Sequence, residues 1–208
     1  MKNVTFELSN VHLHGSSFYD YLALRKQIFV DELKWQIPHN ADVEMDQYDN
    51  PMARYSLVLD DAGRVIGGAR AMSTDVNWGE HTYMLKDAMK GKLATIPDTI
   101  MDSVVDSPKV WECTRLVMCP TLDSNAKRMA CLGMIVEGLI DLAQAEGAER
   151  LMSLSNLWVL RALRRLGYGA DYLGKPYQNG DDGHTYAVIG IPALHAHHDD
   201  PSLQKTAA

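Results

Sequence analysis

The sequence has few cysteines, no long apolar run and no surplus of positive charge. The cysteines Cys113, Cys119 and Cys131 are odd in number and form no CxxC pair, which favours a reducing compartment over a disulfide framework. No apolar stretch approaches the roughly 20 residues that a membrane helix needs, and the N-terminal MKNVTFELSN is too polar for a signal peptide. The net charge of -7 argues against nucleic-acid binding. These absences predict a cytoplasmic protein without membrane insertion.

The chain has the length and composition of one globular domain. Its 208 residues are 46% hydrophobic and 23% charged, without a repeat or a low-complexity linker. We therefore expect one domain over residues 1–194 and a disordered polar tail over 195–208. The tail contains HAHHDD, but no metal is expected because a disordered segment offers no preorganised ligand geometry.

Hydrophobic periodicity predicts helices and strands that alternate along the chain. The predicted helices cover residues 18–33, 125–146 and 157–166, the second ending before Gly147 as its C-terminal cap. The predicted strands cover 53–59, 65–72, 109–118 and 150–155, and a final hairpin joins 168–177 to 184–191. This order describes an α/β sandwich with a mostly antiparallel sheet.

The stretch Trp35–Asp49, WQIPHNADVEMDQYD, is rich in aromatic and acidic residues but poor in apolar ones. It follows a predicted helix that carries Arg25 and Phe29 on one face, and it precedes a strand pair ending at Arg70. Each of these residues alone is explained as a solvated charge or a core aromatic. Their combination favours a site for a small ligand that is cationic, anionic and aromatic at once.

The strand VWECTRLVM carries Glu112 and Arg115 within an otherwise apolar run. Desolvated charges need partners, so these two residues form either a structural ion pair or part of a ligand site. Their odd separation places them on opposite faces of a regular strand; either they serve different neighbours or the strand is bulged. Glu112 is a candidate general base, because burial raises the pKa of a carboxyl group towards neutrality.

These residues and spacings resemble the acyl-homoserine-lactone synthases, the autoinducer synthases of bacterial quorum sensing. The resemblance runs through LRKQIFVDELKW, EMDQYD, ARYSLVL, GRVIGGAR, YMLKD and VWECTRL. The pattern of the family is filled in order by Arg25, Phe29, Trp35, Asp46, Asp49, Arg70, Glu112 and Arg115. The resemblance implies a GNAT-like three-layer sandwich, with a central, mostly antiparallel mixed sheet flanked by helices.

The resemblance also implies an acyltransferase reaction. Its substrates are S-adenosylmethionine (SAM) and an acyl thioester of acyl carrier protein or coenzyme A, and its products include methylthioadenosine (MTA) and the lactone signal. SAM is a substrate, so no cofactor is expected. Glu112 is assigned as the base, and SAM binding and ordering are assigned to Arg25, Phe29, Trp35, Asp46, Asp49, Arg70 and Arg115.

Two further sets of residues are assigned to the acyl donor. The acyl pocket is assigned to Leu116, Met118, Ser153 and Ser155. Family members that make 3-oxo products often have a threonine on the strand matching 151–156; this chain has serines there, so the resemblance does not imply a 3-oxo product. An acidic carrier protein is expected to dock on a basic patch, for which solvated helix faces are an equal explanation. The patch consists of Lys127, Arg128, Arg150, Arg161, Arg164 and Arg165.

Two other functions stay open from the sequence. One is an N-acyltransferase that uses acyl-CoA on a different amine. The segment CPTLDSNAKR before the long helix has no glycine for a pyrophosphate loop, which counts against it. The other is a non-catalytic relative that senses a ligand, and the presence of Glu112 counts against that function.

Overall fold

The computed structural model describes residues 1–196 and shows an eight-stranded sheet with helices on both faces. The strands are β1 (Lys2–Glu7), β2 (Arg54–Leu59), β3 (Val65–Ser73), β4 (Val110–Met118), β5 (Arg150–Asn156), β6 (Asp171–Tyr172), β7 (Tyr177–Gln178) and β8 (Thr185–Pro192). The helices are α1 (Ser17–Arg25), α2 (Met84–Met89), α3 (Asn125–Ala145) and α4 (Leu157–Arg165), and a π-helical segment, Lys26–Glu32, continues α1. Within these residues, no helix is both long and apolar enough to cross a bilayer.

The sheet order β1-β2-β3-β4-β5-β8-β6, with β7 also paired to β8, confirms the predicted mixed α/β sandwich. Among the described strands only β4 and β5 run parallel, and α3 makes the crossover between them. Helices α3 and α4 pack on one face of the sheet, while α1, α2 and the acidic loop cover the other. The two faces therefore carry separate apolar cores.

Three elements differ from the sequence prediction. β1 was not predicted, yet it pairs antiparallel with β2 along its whole length, because Val4 and Phe6 alternate with polar residues. The irregular stretch after β3 contains the short helix α2. The predicted strand 168–177 is wrong, because only the two-residue strands β6 and β7 form there, each pairing with β8.

The predicted tail begins inside the described part of the chain. His195 lies against α3, where its ring nitrogens contact the carboxylates of Glu137 and Asp141, the latter at 3.1 Å. Neighbouring carboxylates raise the pKa of His195, the hydrogen bond with Glu137 being the main cause. Residues 197–208, including most of HAHHDD, lie outside the described residues.

Helix α3 lies unusually close to the sheet. Its first turn is capped by Ser124, whose hydroxyl accepts the backbone N–H of Lys127 at 3.2 Å. The helix ends just before Gly147, which has a φ of 81° and supports the predicted cap. A Cβ at Gly138 would lie 2.4 Å from Ser56 Oγ on β2, so only glycine permits this approach. The close packing fixes α3 on the half of the sheet that contains β2.

β4 is bulged and separates from β5 after its third residue. Its pairing with β5 stops at Glu112↔Met152, although β5 continues to Asn156. The β3–β4 register shifts between Gly68 and Arg70, and Arg115 has a φ of 57°. The bulge explains how Glu112 and Arg115 reach the same side of the sheet despite their odd spacing. It also leaves a gap between β4 and β5.

Candidate active site

Three arginines and three carboxylates form a buried ion network at the edge of this gap. Arg25 donates its Nε to Glu44 Oε2 at 2.6 Å, and its two Nη atoms bind Asp49 at 2.8 and 2.9 Å. The side chains of all three residues are fully buried. The loop and the helix are therefore held together by matched charges in a dry environment.

Arg70 and Arg115 complete the network. Arg70 contacts Asp46 at 2.6 Å and Asp49 at 2.8 Å, and Arg115 contacts Asp46 at 2.7 Å and Glu44 at 3.2 Å. Burial alone raises the pKa of Asp46, but Arg70 and Arg115 outweigh it and hold this pKa well below its usual range. All three carboxylates thus face positive partners, and the network is electrically balanced.

The structure brings together five of the predicted residues in this network: Arg25, Asp46, Asp49, Arg70 and Arg115. Glu44 was missed, although it is fully buried and binds two arginines. In the sequence it is one of several carboxylates of the acidic loop, two residues before Asp46, and nothing there distinguishes it from a solvated one.

The predicted aromatic residues stack on each other beside the network. The rings of Phe29 and Trp35 are 4.8 Å apart and inclined by 8°, and the Arg115 guanidinium lies 5.6 Å from the centre of the Phe29 ring. Phe29 is 6% exposed, whereas Trp35 is only partly buried. Trp35 therefore presents more ring surface to a ligand than Phe29 does.

Glu112 lies deep beside the gap and is 1% exposed. Its two carboxylate oxygens accept the backbone N–H groups of Met84 and Leu85, both at 2.8 Å, at the start of α2. Burial raises the pKa of Glu112 to about 7, although the two hydrogen bonds oppose this shift. A carboxyl group with this pKa can accept and release a proton near neutrality.

Two cavities meet at the gap between β4 and β5. The outer cleft, of about 640 Å³, is lined by Trp35, Asp46 and Arg115 among others, while an inner cavity of about 50 Å³ has apolar walls from α3, α4 and the sheet. Both cavities are lined by Leu116, Ser153 and Ser155 from the predicted acyl pocket, together with Thr114 and Val159, whereas Met118 lines only the outer cleft. The two cavities thus share the residues that flank the gap.

The six residues of the predicted basic patch are all exposed, at the start of α3, the start of β5 and along α4. Some of them are engaged locally: Arg128 donates to the Leu122 carbonyl at 2.8 Å, Arg164 to the Ala170 carbonyl at 2.7 Å, and Lys127 pairs with Asp123. These contacts neither require nor exclude a carrier protein, so the docking role stays a prediction.

The sheet with its gap between two strands, and the buried carboxylate beside that gap, define a GNAT-type acyltransferase fold, which solved N-acyltransferases share. The chain belongs to the autoinducer synthase family, whose model matches residues 10–196. It is 32% identical over 168 residues to the acyl-homoserine-lactone synthase of Acinetobacter nosocomialis, covering 77% of this chain and 83% of that one.

Solved structures share the fold of this chain. TofI, in a ternary complex with an inhibitor and MTA, is 23% identical with a TM-score of 0.73, covering 93% of this chain and 92% of that one. BjaI, a CoA-dependent acyl-homoserine lactone synthase solved with SAM and isopentyl-CoA, is 19% identical with a TM-score of 0.71, covering 91% and 82%. At these identities the structures establish the shared fold, which extends over nearly the whole described chain.

Proposed function

We propose that this protein makes an N-acyl-homoserine lactone signal from SAM and an acyl thioester and releases MTA. The observation that carries the proposal is the position of Glu112, a buried base with a pKa of about 7 and the last residue of β4 that pairs with β5. Glu112 itself lines neither cavity, but its hydrogen-bond partner Met84 lines the outer cleft. The family match supports the same reaction. We place the reaction in the cytoplasm, in keeping with the free thiols of Cys113, Cys119 and Cys131.

The outer cleft suits SAM. Trp35 offers an aromatic surface to the adenine or the sulfonium, and Asp46 and Arg115 offer both signs of charge to the amino-acid end. The buried partners of these charges, Arg70 for Asp46 and Glu44 for Arg115, hold them in place before the ligand arrives. Preorganisation of this kind lowers the entropic cost of binding.

The chemistry then proceeds in two steps. Glu112, directly or through a water molecule, removes a proton from the SAM amine, whose nitrogen attacks the thioester carbonyl; the C–S bond breaks and the carrier leaves as a thiol. We expect backbone N–H groups of β4 beyond Glu112, where the pairing with β5 ends, to stabilise the oxyanion. The SAM carboxylate next attacks its own γ-carbon, closing the lactone while the bond to the sulfonium breaks and MTA leaves.

The direct test of the proposal is product formation. Purified protein is incubated with SAM and a panel of acyl-carrier-protein and acyl-CoA thioesters, and MTA and lactone are measured by mass spectrometry. We expect equal amounts of both products with at least one donor, and the preferred carrier decides between the two thioester types. Acylation of a different amine without MTA release would instead support an ordinary N-acyltransferase.

The acyl chain is expected to pass between β4 and β5 into the inner cavity. Leu139 on α3 lines that cavity, so Leu139→Ala should enlarge it and shift the preference towards longer chains. Burial of one more methylene contributes about 0.8 kcal/mol, or about fourfold in kcat/KM per added methylene. Competition between donors of different length measures the shift.

The control for this prediction is Leu142→Ala. Leu142 lies on the same helix and packs on the same core, but it is absent from the lining of the cavity. Both variants lose the same side-chain volume and some stability. An equal change of chain-length preference in the two variants would show that the inner cavity does not select the acyl chain.

A further inference from the structure

One carboxylate, that of Asp182, forms hydrogen bonds with both walls of the outer cleft. One wall is the segment after the π-helix, which carries Trp35; the other is the hairpin between β7 and β8. Asp182 Oδ2 accepts the indole N–H of Trp35 at 2.7 Å, although the two residues lie 147 positions apart in the chain. None of the family motifs in the first part of the sequence includes this residue.

Both oxygens of this carboxylate accept hydrogen bonds, three in all. Oδ2 also accepts the hydroxyl of Tyr186 at 2.8 Å, and Oδ1 accepts the backbone N–H of His184 at 2.8 Å. The side chain is 3% exposed. Burial alone raises the pKa of Asp182, but the hydrogen bonds from His184, Trp35 and Tyr186 outweigh it and lower this pKa. Asp182 is therefore ionised near neutral pH, and both of its carboxylate oxygens are hydrogen-bonded.

The hairpin turn is braced without any help from Trp35. Asn179 N–H donates to the His184 carbonyl at 2.9 Å, Gly183 N–H to the Asn179 carbonyl at 3.0 Å, and the Gln178 amide to the Gly183 carbonyl at 3.1 Å. The residue before Trp35, by contrast, is Lys34 with a φ of 61°, a conformation that non-glycine residues rarely adopt. The backbone of Trp35 is itself held, by its N–H to the Phe29 carbonyl at 2.8 Å, so what Asp182 adds is a hold on the indole ring.

We propose that Asp182 is a positioning residue of the SAM site: by holding the indole N–H it fixes the ring of Trp35 against Phe29, with its remaining surface towards the cleft. The stack on Phe29 and the edge contact with Tyr186, whose ring centre lies 6.0 Å away, do not fix the rotation of the indole in its plane, because aromatic contacts are only weakly directional. The bond to Asp182 removes that freedom before SAM binds. This role rests on the proposed function, because it assigns the outer cleft to SAM.

Kinetics with SAM test this role. Asp182→Ala is expected to raise the KM for SAM about tenfold, the size of one hydrogen bond to a charged group, and to leave kcat within about twofold. Trp35→Phe keeps an aromatic ring but loses the N–H, and it leaves the hairpin turn intact. It should raise the same KM by a similar factor. The double variant should have a KM for SAM no higher than that of the single variant with the higher KM, because both changes remove the same bond.

Asp171→Ala is the matched control. Asp171 is an exposed aspartate on β6, opposite Gly190 near the far end of β8, so the control removes the same charge from a residue beside the same strand but away from Trp35. It should leave the KM for SAM unchanged. Additive effects of Asp182→Ala and Trp35→Phe, or an unchanged KM in both, would overturn the proposal.

The hydrogen bond itself is visible by NMR without any turnover. Each of the four tryptophans gives one indole N–H peak, and Trp35→Phe identifies the peak of Trp35. That peak should move and exchange faster with solvent in Asp182→Ala but not in Asp171→Ala. A peak that does not respond would overturn the proposal even in an active enzyme. If the wild type makes no MTA while the peak responds, the assignment of SAM to the cleft is wrong, but the hydrogen bond between Trp35 and Asp182 is confirmed.

Discussion

Replacement of Glu112 by alanine is expected to lower turnover by about 10²- to 10⁴-fold, the contribution of a positioned general base. The SAM amine is protonated at neutral pH and cannot attack a carbonyl until it loses that proton. Within the described residues, Glu112 is the carboxylate beside the gap whose pKa is raised to about 7. MTA release measured with saturating substrates gives the loss directly.

Glu112→Gln, a second variant, is expected to lose stability as well as turnover. Both carboxylate oxygens accept backbone N–H groups, so the amide NH₂ of glutamine would face the N–H of Met84 or Leu85. Two donors facing each other in a buried site cost about 1–3 kcal/mol, which thermal unfolding would reveal. Turnover close to wild type in a folded Glu112→Gln or Glu112→Ala protein would remove Glu112 as the base.

The pH dependence carries the same information. The base must be ionised to act, so the rate should rise as pH increases through about 7 and level off above it. The effect on stability has the opposite sign: the pKa of Glu112 rises on folding from 4.5 to about 7, so its contribution is present below pH 4.5 and lost as pH rises through about 7. Glu112→Gln should abolish both dependences.

Arg70→Met is expected to destabilise the fold by about 3–5 kcal/mol. Arg70 is fully buried, and its removal leaves Asp46 and Asp49 without one of their two positive partners. A buried carboxylate that has lost its partner costs more than the ion pair contributed. Urea denaturation measures the change in the free energy of unfolding.

Arg54→Met is the control for this prediction. Arg54 lies on β2, the neighbour of the strand β3 that carries Arg70. Its guanidinium forms salt bridges with Glu7 and Glu146 at the protein surface. Surface ion pairs contribute about 0–1 kcal/mol, so this variant should remain close to wild type. Equal losses in the two variants would show that the buried network adds nothing beyond ordinary surface pairing.

The sequence predicted the composition of the site better than its arrangement. The odd spacing of Glu112 and Arg115 left two alternatives, separate neighbours on opposite faces or a bulged strand, and the left-handed Arg115 shows the bulge. The sequence could not show that Glu44 joins the network, because in sequence that residue resembles any solvated loop carboxylate. Asp182 was missed for a related reason: its partner Trp35 is distant in sequence and becomes a neighbour only when β8 joins the sheet.

Local patterns also failed where pairing partners decide the structure. β1 is a short polar strand that exists because β2 offers it a complete edge. The segment between α4 and β8 has strand-like composition, yet it forms only β6 and β7 because most of its backbone lies in loops that border the cleft. Composition records the propensity of a segment, whereas the available edge determines which residues pair.

Because only three residue pairs join β4 to β5, the sheet consists of two halves connected by a short seam. We call these halves leaves. One leaf contains β1 to β4 under α3, and the other contains β5 to β8 under α4. A substrate bound in the gap would touch both leaves and act as a removable cross-link between them. At a hundred times its Kd such a ligand adds about 2.7 kcal/mol to the free energy of unfolding. The resistance of the enzyme to heat or proteolysis would then follow the supply of its own substrates.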